Sequence, residues 1–144
     1  MLETLVRYVH FIGILALAAT LFHEYLSLRP ATPAATIRRL ARVDAVYGLS
    51  ALAVLAAGLA LWFLVGKPAS FYSGNVLFHL KLGLFVVIGV LSIYPTVFLL
   101  RQRNADASTV VVPRRLLIVL KVEMAMLVLM PLLAVLMARG YGLP

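Results

Sequence analysis

Four stretches of this chain, roughly 3–28, 43–66, 75–100 and 114–138, are apolar almost without interruption. Each is long enough to cross about 30 Å of hydrocarbon at 1.5 Å per residue. Lipid offers no water to backbone N–H and C=O groups, so a segment that crosses it must pair them internally and fold as a helix. The connections are short. Arg29 to Arg42 carries Pro30 and Pro33, which end the first helix. Lys67 to Gly74 (KPASFYSG) reads as a turn with interfacial aromatics, and Arg101 to Pro113 is polar before the chain restarts at Pro113. Short connections make sequential helices antiparallel neighbours. The expected fold is all-α: one transmembrane domain over residues 1–144, an up-down four-helix bundle, with no internal repeat.

Composition agrees. The chain is 64% hydrophobic and 12% charged, against near half and a quarter for a soluble domain. Its net charge of +8 belongs to residues that flank the apolar runs, so it reports topology and contact with anionic lipid rather than nucleic acid. There are no cysteines, which removes disulfides, thiolate-bound zinc, iron–sulfur ligation and cysteine nucleophiles. The first apolar stretch is too long for a signal-peptide core, Glu3 precedes it and the basic cluster follows it, so it reads as a retained helix. Arg29, Arg38, Arg39, Arg42, Arg101, Arg103, Arg114 and Arg115 fall on one side; Arg7, Lys67 and Arg139 fall on the other. That asymmetry places the first side in the cytoplasm and both termini outside, which is the periplasmic side for the bacterial inner membrane that the resemblance given below implies. Trp62, Phe71, Tyr72 and Tyr141 suit the outer aromatic belt, Tyr25 and Tyr47 the inner one.

Ionisable residues inside the apolar runs are the candidates for function, because a Lys near a helix centre costs at least ~2.5–3.5 kcal/mol on insertion scales. His10 and Lys81 both lie roughly 10 Å below the same surface, counted at 1.5 Å per residue. On the first helix Glu3, Arg7 and Glu24 share the His10 stripe, which marks the inward face. His79 stands two residues from Lys81, hence on nearly the opposite face; Lys81 is the one expected to reach the interior, with Gly74, Phe85 and Ser92 on its stripe. His23 falls on a surface face. Arg7 serves as an interfacial anchor or holds an anionic group. Glu123 lies on the fourth helix nearer the basic side, and pairs there with a basic residue or serves the site. Met126, Met130 and Met137 share its face as apolar filler or as a soft Cu(I) site. Asp44 reads as the N-terminal residue of the second helix, complementing the macrodipole. Gly48, Ala51 and Gly58 continue its stripe and admit a close neighbour.

A neutral imidazole and a deprotonated amine on facing helices can be the two axial ligands of a haem. The same pair can also be stations of a proton path. No serine triad, P-loop or zinc-binding pattern is present.

With those residues placed, the chain resembles the small bacterial four-helix membrane proteins that form a family of unknown function. The resemblance spans nearly the whole chain, notably LVRYVHFIGILALAAT, RVDAVYGLSAL, FYSGNVLFHLKL and the ARG near the C-terminus. More distantly it is similar to HemJ-type protoporphyrinogen IX oxidases and CopD-type copper-resistance membrane proteins. The HemJ-type resemblance implies that His10, in VRYVHFIGI, binds haem b. It implies that Lys81, in FHLKLGLF, is essential, and that Glu123 matches a glutamate of the fourth helix, with Pro131 after it. The Trp-Phe-x-Gly and Leu-Pro-Arg elements of that family's first helix are replaced here by LALAATLFHEYLSLRP, and a later histidine of its third helix by SIYPT. The resemblance therefore implies a haem-binding bundle more than a porphyrinogen substrate.

The resulting expectation is a multi-pass membrane oxidoreductase. It binds haem b through His10 and Lys81 with help from Arg7, uses His10, Lys81 and Glu123 catalytically, and oxidises a porphyrinogen- or quinol-type compound or relays electrons. Its expected partners are the bilayer, a small redox substrate and a second copy docked through Ala/Gly faces. The alternative is a non-enzymatic carrier, copper-handling or accessory protein without cofactor.

Overall fold

The computed structural model describes residues 1–142. Four of its helices are long and apolar enough to cross a membrane. They are α1 (Leu2–Ser27), α2 (Ala34–Ala60, continued by a π-helical turn Leu61–Val65), α4 (Val76–Gln102) and α5 (Arg114–Ala138); a short α3 (Ala69–Ser73) joins α2 to α4. Helix α1 packs against α2 and α5, and α4 against α5 and α2. The four spans form a ring in chain order, with α1 and α4 on one diagonal. This is the up-down four-helix membrane bundle, folded as two close hairpins, α1–α2 and α4–α5.

The second helix begins well before the expected boundary. Residues Arg29 to Arg42 were expected to be a connection; α2 instead starts at Ala34, directly after Pro33. Two features produce this. Proline ends the preceding extended segment and is accepted at a helix start, where its missing N–H has no partner to lose. Thr32 closes the turn: the Arg29 N–H donates to its hydroxyl at 3.0 Å, and that hydroxyl donates to the Arg29 carbonyl at 2.8 Å. Asp44 therefore lies in mid-helix, and its expected role at a helix N-terminus does not hold.

The basic-side connections also pair. Ala31–Pro33 (β1) and Thr109–Val111 (β2) form an antiparallel ribbon, in register Ala31 to Val111, Thr32 to Val110 and Pro33 to Thr109. Pro113 precedes α5 as Pro33 precedes α2. Both hairpins thus run helix, strand, proline, helix, a repeat of architecture that the sequence does not announce by residue identity.

The core is concentrated at the ribbon end. Leu28, Ile37, Leu40, Val112, Leu116 and Leu120 are each 3% exposed or less. Toward the termini the packing loosens, and beyond Glu123 helix α5 has no buried residue. One close contact ties α1 to α2: a β-carbon on Gly13 would lie 2.8 Å from Val54 Cγ2. Of the expected small-residue stripe on α2, Gly58 also faces α1, against the His10 ring, whereas Gly48 faces open space. At the termini end, Trp62, Phe63, Tyr72 and Phe78 form a chain of ring contacts, and Lys67 Nζ lies 4.0 Å from the centre of the Phe71 ring. Asn75 caps α4 by accepting from the Leu77 and Phe78 N–H groups and donates to the Tyr141 carbonyl at 3.0 Å. It fastens the C-terminal turn over the start of α4.

Candidate functional site

The inward-facing polar groups fall into two tiers. The upper tier, toward the termini, holds His10 and Lys81. His10 Nδ1 lies 3.0 Å from the Val54 carbonyl. An imidazole N–H can donate there and a bare nitrogen cannot, so the contact fixes the tautomer and leaves Nε2 with its lone pair. Space for the ring comes from Gly58, where an added β-carbon would come within 3.4 Å of His10 Cε1. Lys81 is half-buried on α4, across the diagonal from α1. The two residues thus stand on diagonal helices at the same end of the bundle. His79 points the other way, exposed, with Nε2 2.9 Å from the Ser73 carbonyl, and His23 is exposed as expected.

Arg7 does not join them. It is exposed and pairs with Glu3 at 2.7 Å, one turn away on the same helix. The inward stripe of α1 is buried only from Gly13 onward; nearer the terminus its polar residues face outward, as surface polar pairs do.

The lower tier was only partly visible in the sequence. Glu24 from α1, Asp44 from α2 and Glu123 from α5 are 1%, 4% and 0% exposed. They stand near one another and near Tyr47 of α2. Tyr47 was expected in the inner aromatic belt; it is 4% exposed and turned into the bundle instead. Asp44 accepts from the Thr96 hydroxyl of α4 at 2.9 Å. Ser92 of α4 donates its hydroxyl to the Gly89 carbonyl of its own helix at 2.8 Å. Glu123 was expected to pair with a basic residue or to serve the site. Among the described residues both its carboxylate oxygens lack a partner, as does Glu24 Oε1. The basic residues that border this level, Arg42 and Lys121, point away and are exposed. Glu24 was legible by phase on the His10 stripe and Ser92 by phase on the Lys81 stripe; Tyr47 and Thr96 carried no sequence signal that separates them from ordinary helix residues.

Fold and site define the class: a four-span helical membrane protein with titratable groups inside the bundle. The chain belongs to the family described as "Predicted membrane protein (DUF2214)", whose family model matches residues 2–142. No curated protein and no solved structure matches it.

Proposed function

We propose that the upper tier binds haem b and that the protein takes part in redox chemistry in the membrane. The observation that carries this reading is the His10–Val54 contact. A ring nitrogen held by a backbone carbonyl leaves the other nitrogen basic and fixed in direction, the usual arrangement behind a metal-ligating histidine. Two features of the chain support that group. Helices α1 and α4 lie on a diagonal rather than in direct packing, and Lys81 offers an amine opposite the imidazole. The likeness of VRYVHFIGI and FHLKLGLF to the HemJ-type pattern supports the same pair.

Haem held this way would supply one-electron exchange. The chain's part is narrower. His10 provides a directed nitrogen, Gly58 leaves room for its ring, and Lys81 supplies the second ligand or a proton beside the site. Arg7, paired with Glu3, takes no part, and Glu123 belongs to the lower tier rather than to the ligand set. A porphyrinogen- or quinol-type reductant and placement in a bacterial inner membrane remain part of this proposal, and the basic residues around the ribbon support a cytoplasmic position for that end.

The test is the absorption spectrum of the protein purified from haem-replete cells. The expected result is a Soret band that His10→Ala abolishes and Lys81→Met shifts. A colourless protein, or a band indifferent to His10→Ala, overturns the reading.

A further inference from the structure

Glu24 and Glu123 have no use in the haem reading, and their burial needs a cause. An ionised carboxylate in a low-dielectric interior is not tolerated without a counter-charge and hydrogen bonds. Here three carboxyl groups meet with no cation among them. The titratable groups facing Glu24 and Glu123 are Asp44 and Tyr47 from α2; α4 contributes only the hydroxyls of Ser92 and Thr96. Lys81 and His10 stand in the tier above, on the termini side. Three carboxylate oxygens are buried and unpartnered, so something absent from the polypeptide must satisfy them. Among the described residues no three acidic or histidine side chains converge in the manner of a metal site. The species that neutralises separate carboxyl groups, one by one, is the proton.

We propose that Glu24 and Glu123, with Asp44 and Tyr47, form a membrane-embedded proton-exchange site that opens toward the face carrying the termini. The direction follows from packing. On the ribbon side the site is closed by Leu28, Ile37, Leu40, Val112, Leu116 and Leu120, none more than 3% exposed. On the termini side Leu17, Leu21 and Ile88 are buried as well, but helix α5 has no buried residue beyond Glu123, and Met126, Leu127 and Met130 along it are only half-buried, which leaves the looser path beside that helix. A proton arriving from water on that face reaches the carboxyl groups and returns by the same route; the leucine layer stops it from continuing. The site stands on its own geometry and does not require haem.

A hydrophobic carbodiimide reacts with protonated carboxyl groups inside membranes and spares ionised ones. Full-length protein, in membrane vesicles of both orientations with the orientation read from a tag on the N-terminus, is treated with dicyclohexylcarbodiimide and mapped by peptide mass spectrometry. The expected result is adducts on Glu24 or Glu123. Labelling should fall roughly tenfold per pH unit once the site begins to release its proton, and should follow the pH of the face bearing the termini. Adducts that follow the pH of the ribbon face overturn the route. Protection by sodium or magnesium at constant pH overturns the proton as occupant. Infrared spectra of the reconstituted protein provide a reading without reagent access: a carboxylic-acid carbonyl band that shifts in deuterium oxide and diminishes in Glu123→Gln and Glu24→Gln. Absence of both the adducts and that band overturns the proposal. Neither outcome bears on the Soret band, so failure here and failure of the haem reading are separable.

Discussion

Gly13 and Val54 meet where α1 crosses α2, and the backbone carbonyl of the same Val54 receives the His10 ring. A β-carbon at position 13 would stand 2.8 Å from Val54 Cγ2, closer than two carbons can rest. Gly13→Ala should therefore separate the helices and lower stability by about 1–3 kcal/mol, the usual range for overpacking. Val54→Ala removes the obstructing methyl while keeping the carbonyl, so the double variant should regain most of that loss. Thermal unfolding of the four proteins in detergent checks this; equal losses in the single and double variants would show that the contact is not the cause.

The same crossing gives a graded test at Gly58. Its added β-carbon would touch His10 Cε1 at 3.4 Å, a distance an alanine can meet with a small shift. Gly58→Ala should leave the His10 ring in place, whereas Gly58→Leu should displace it from Val54. Nitrogen NMR of histidine-labelled protein reads this directly: of the three histidines, only His10 should change its tautomer signature, and only in the leucine variant.

The bundle was legible because lipid leaves helices no alternative and because hydropathy marks span length directly. The half-burial of Lys81 and the outward turn of His79 were legible because helical phase separates neighbours in sequence. Three things were not. The start of α2 was hidden because Ala34 to Arg42 is polar enough to resemble a loop, while Pro33, taken as a stop, is also a helix start. The inward placement of Arg7 did not hold because phase tells which stripe a residue occupies, not how far along that stripe the bundle stays closed. The carboxyl cluster was hidden because Glu24, Asp44 and Glu123 come from three separate helices, and only the ring order of the spans brings them together.

Asn75 is fully buried at the start of α4 and serves two ends at once. Its side-chain oxygen caps the helix and its amide holds the Tyr141 carbonyl, while the Val76 N–H donates to the Gly142 carbonyl at 3.0 Å. Gly142 has φ +84°, and a β-carbon there would lie 2.7 Å from Asn75 Oδ1. Asn75→Ala should remove the cap and release the C-terminal turn, with a loss of about 1–2 kcal/mol. Hydrogen exchange should rise at Val76 and Leu77 and stay unchanged in the ribbon. Gly142→Ala should free the turn while leaving the Leu77 cap protected, which separates the two functions of Asn75.

Asp44 and Glu123 sit in one cluster but should respond to truncation with opposite signs. Asp44 has a partner: removing it in Asp44→Ala leaves the Thr96 hydroxyl without its acceptor in a dry interior, a change worth about 1–3 kcal/mol of lost stability. Glu123 has none for either oxygen. Glu123→Met keeps its length, fills the same space and removes two unsatisfied acceptors, so stability should be unchanged or rise. Thermal midpoints of the two variants in detergent decide it. A gain in Glu123→Met together with loss of its carboxylic-acid infrared band would mean that the residue is kept at a cost to the fold, as expected of a group retained for proton exchange. A loss comparable to that of Asp44→Ala would mean that Glu123 has a structural partner and is held for stability.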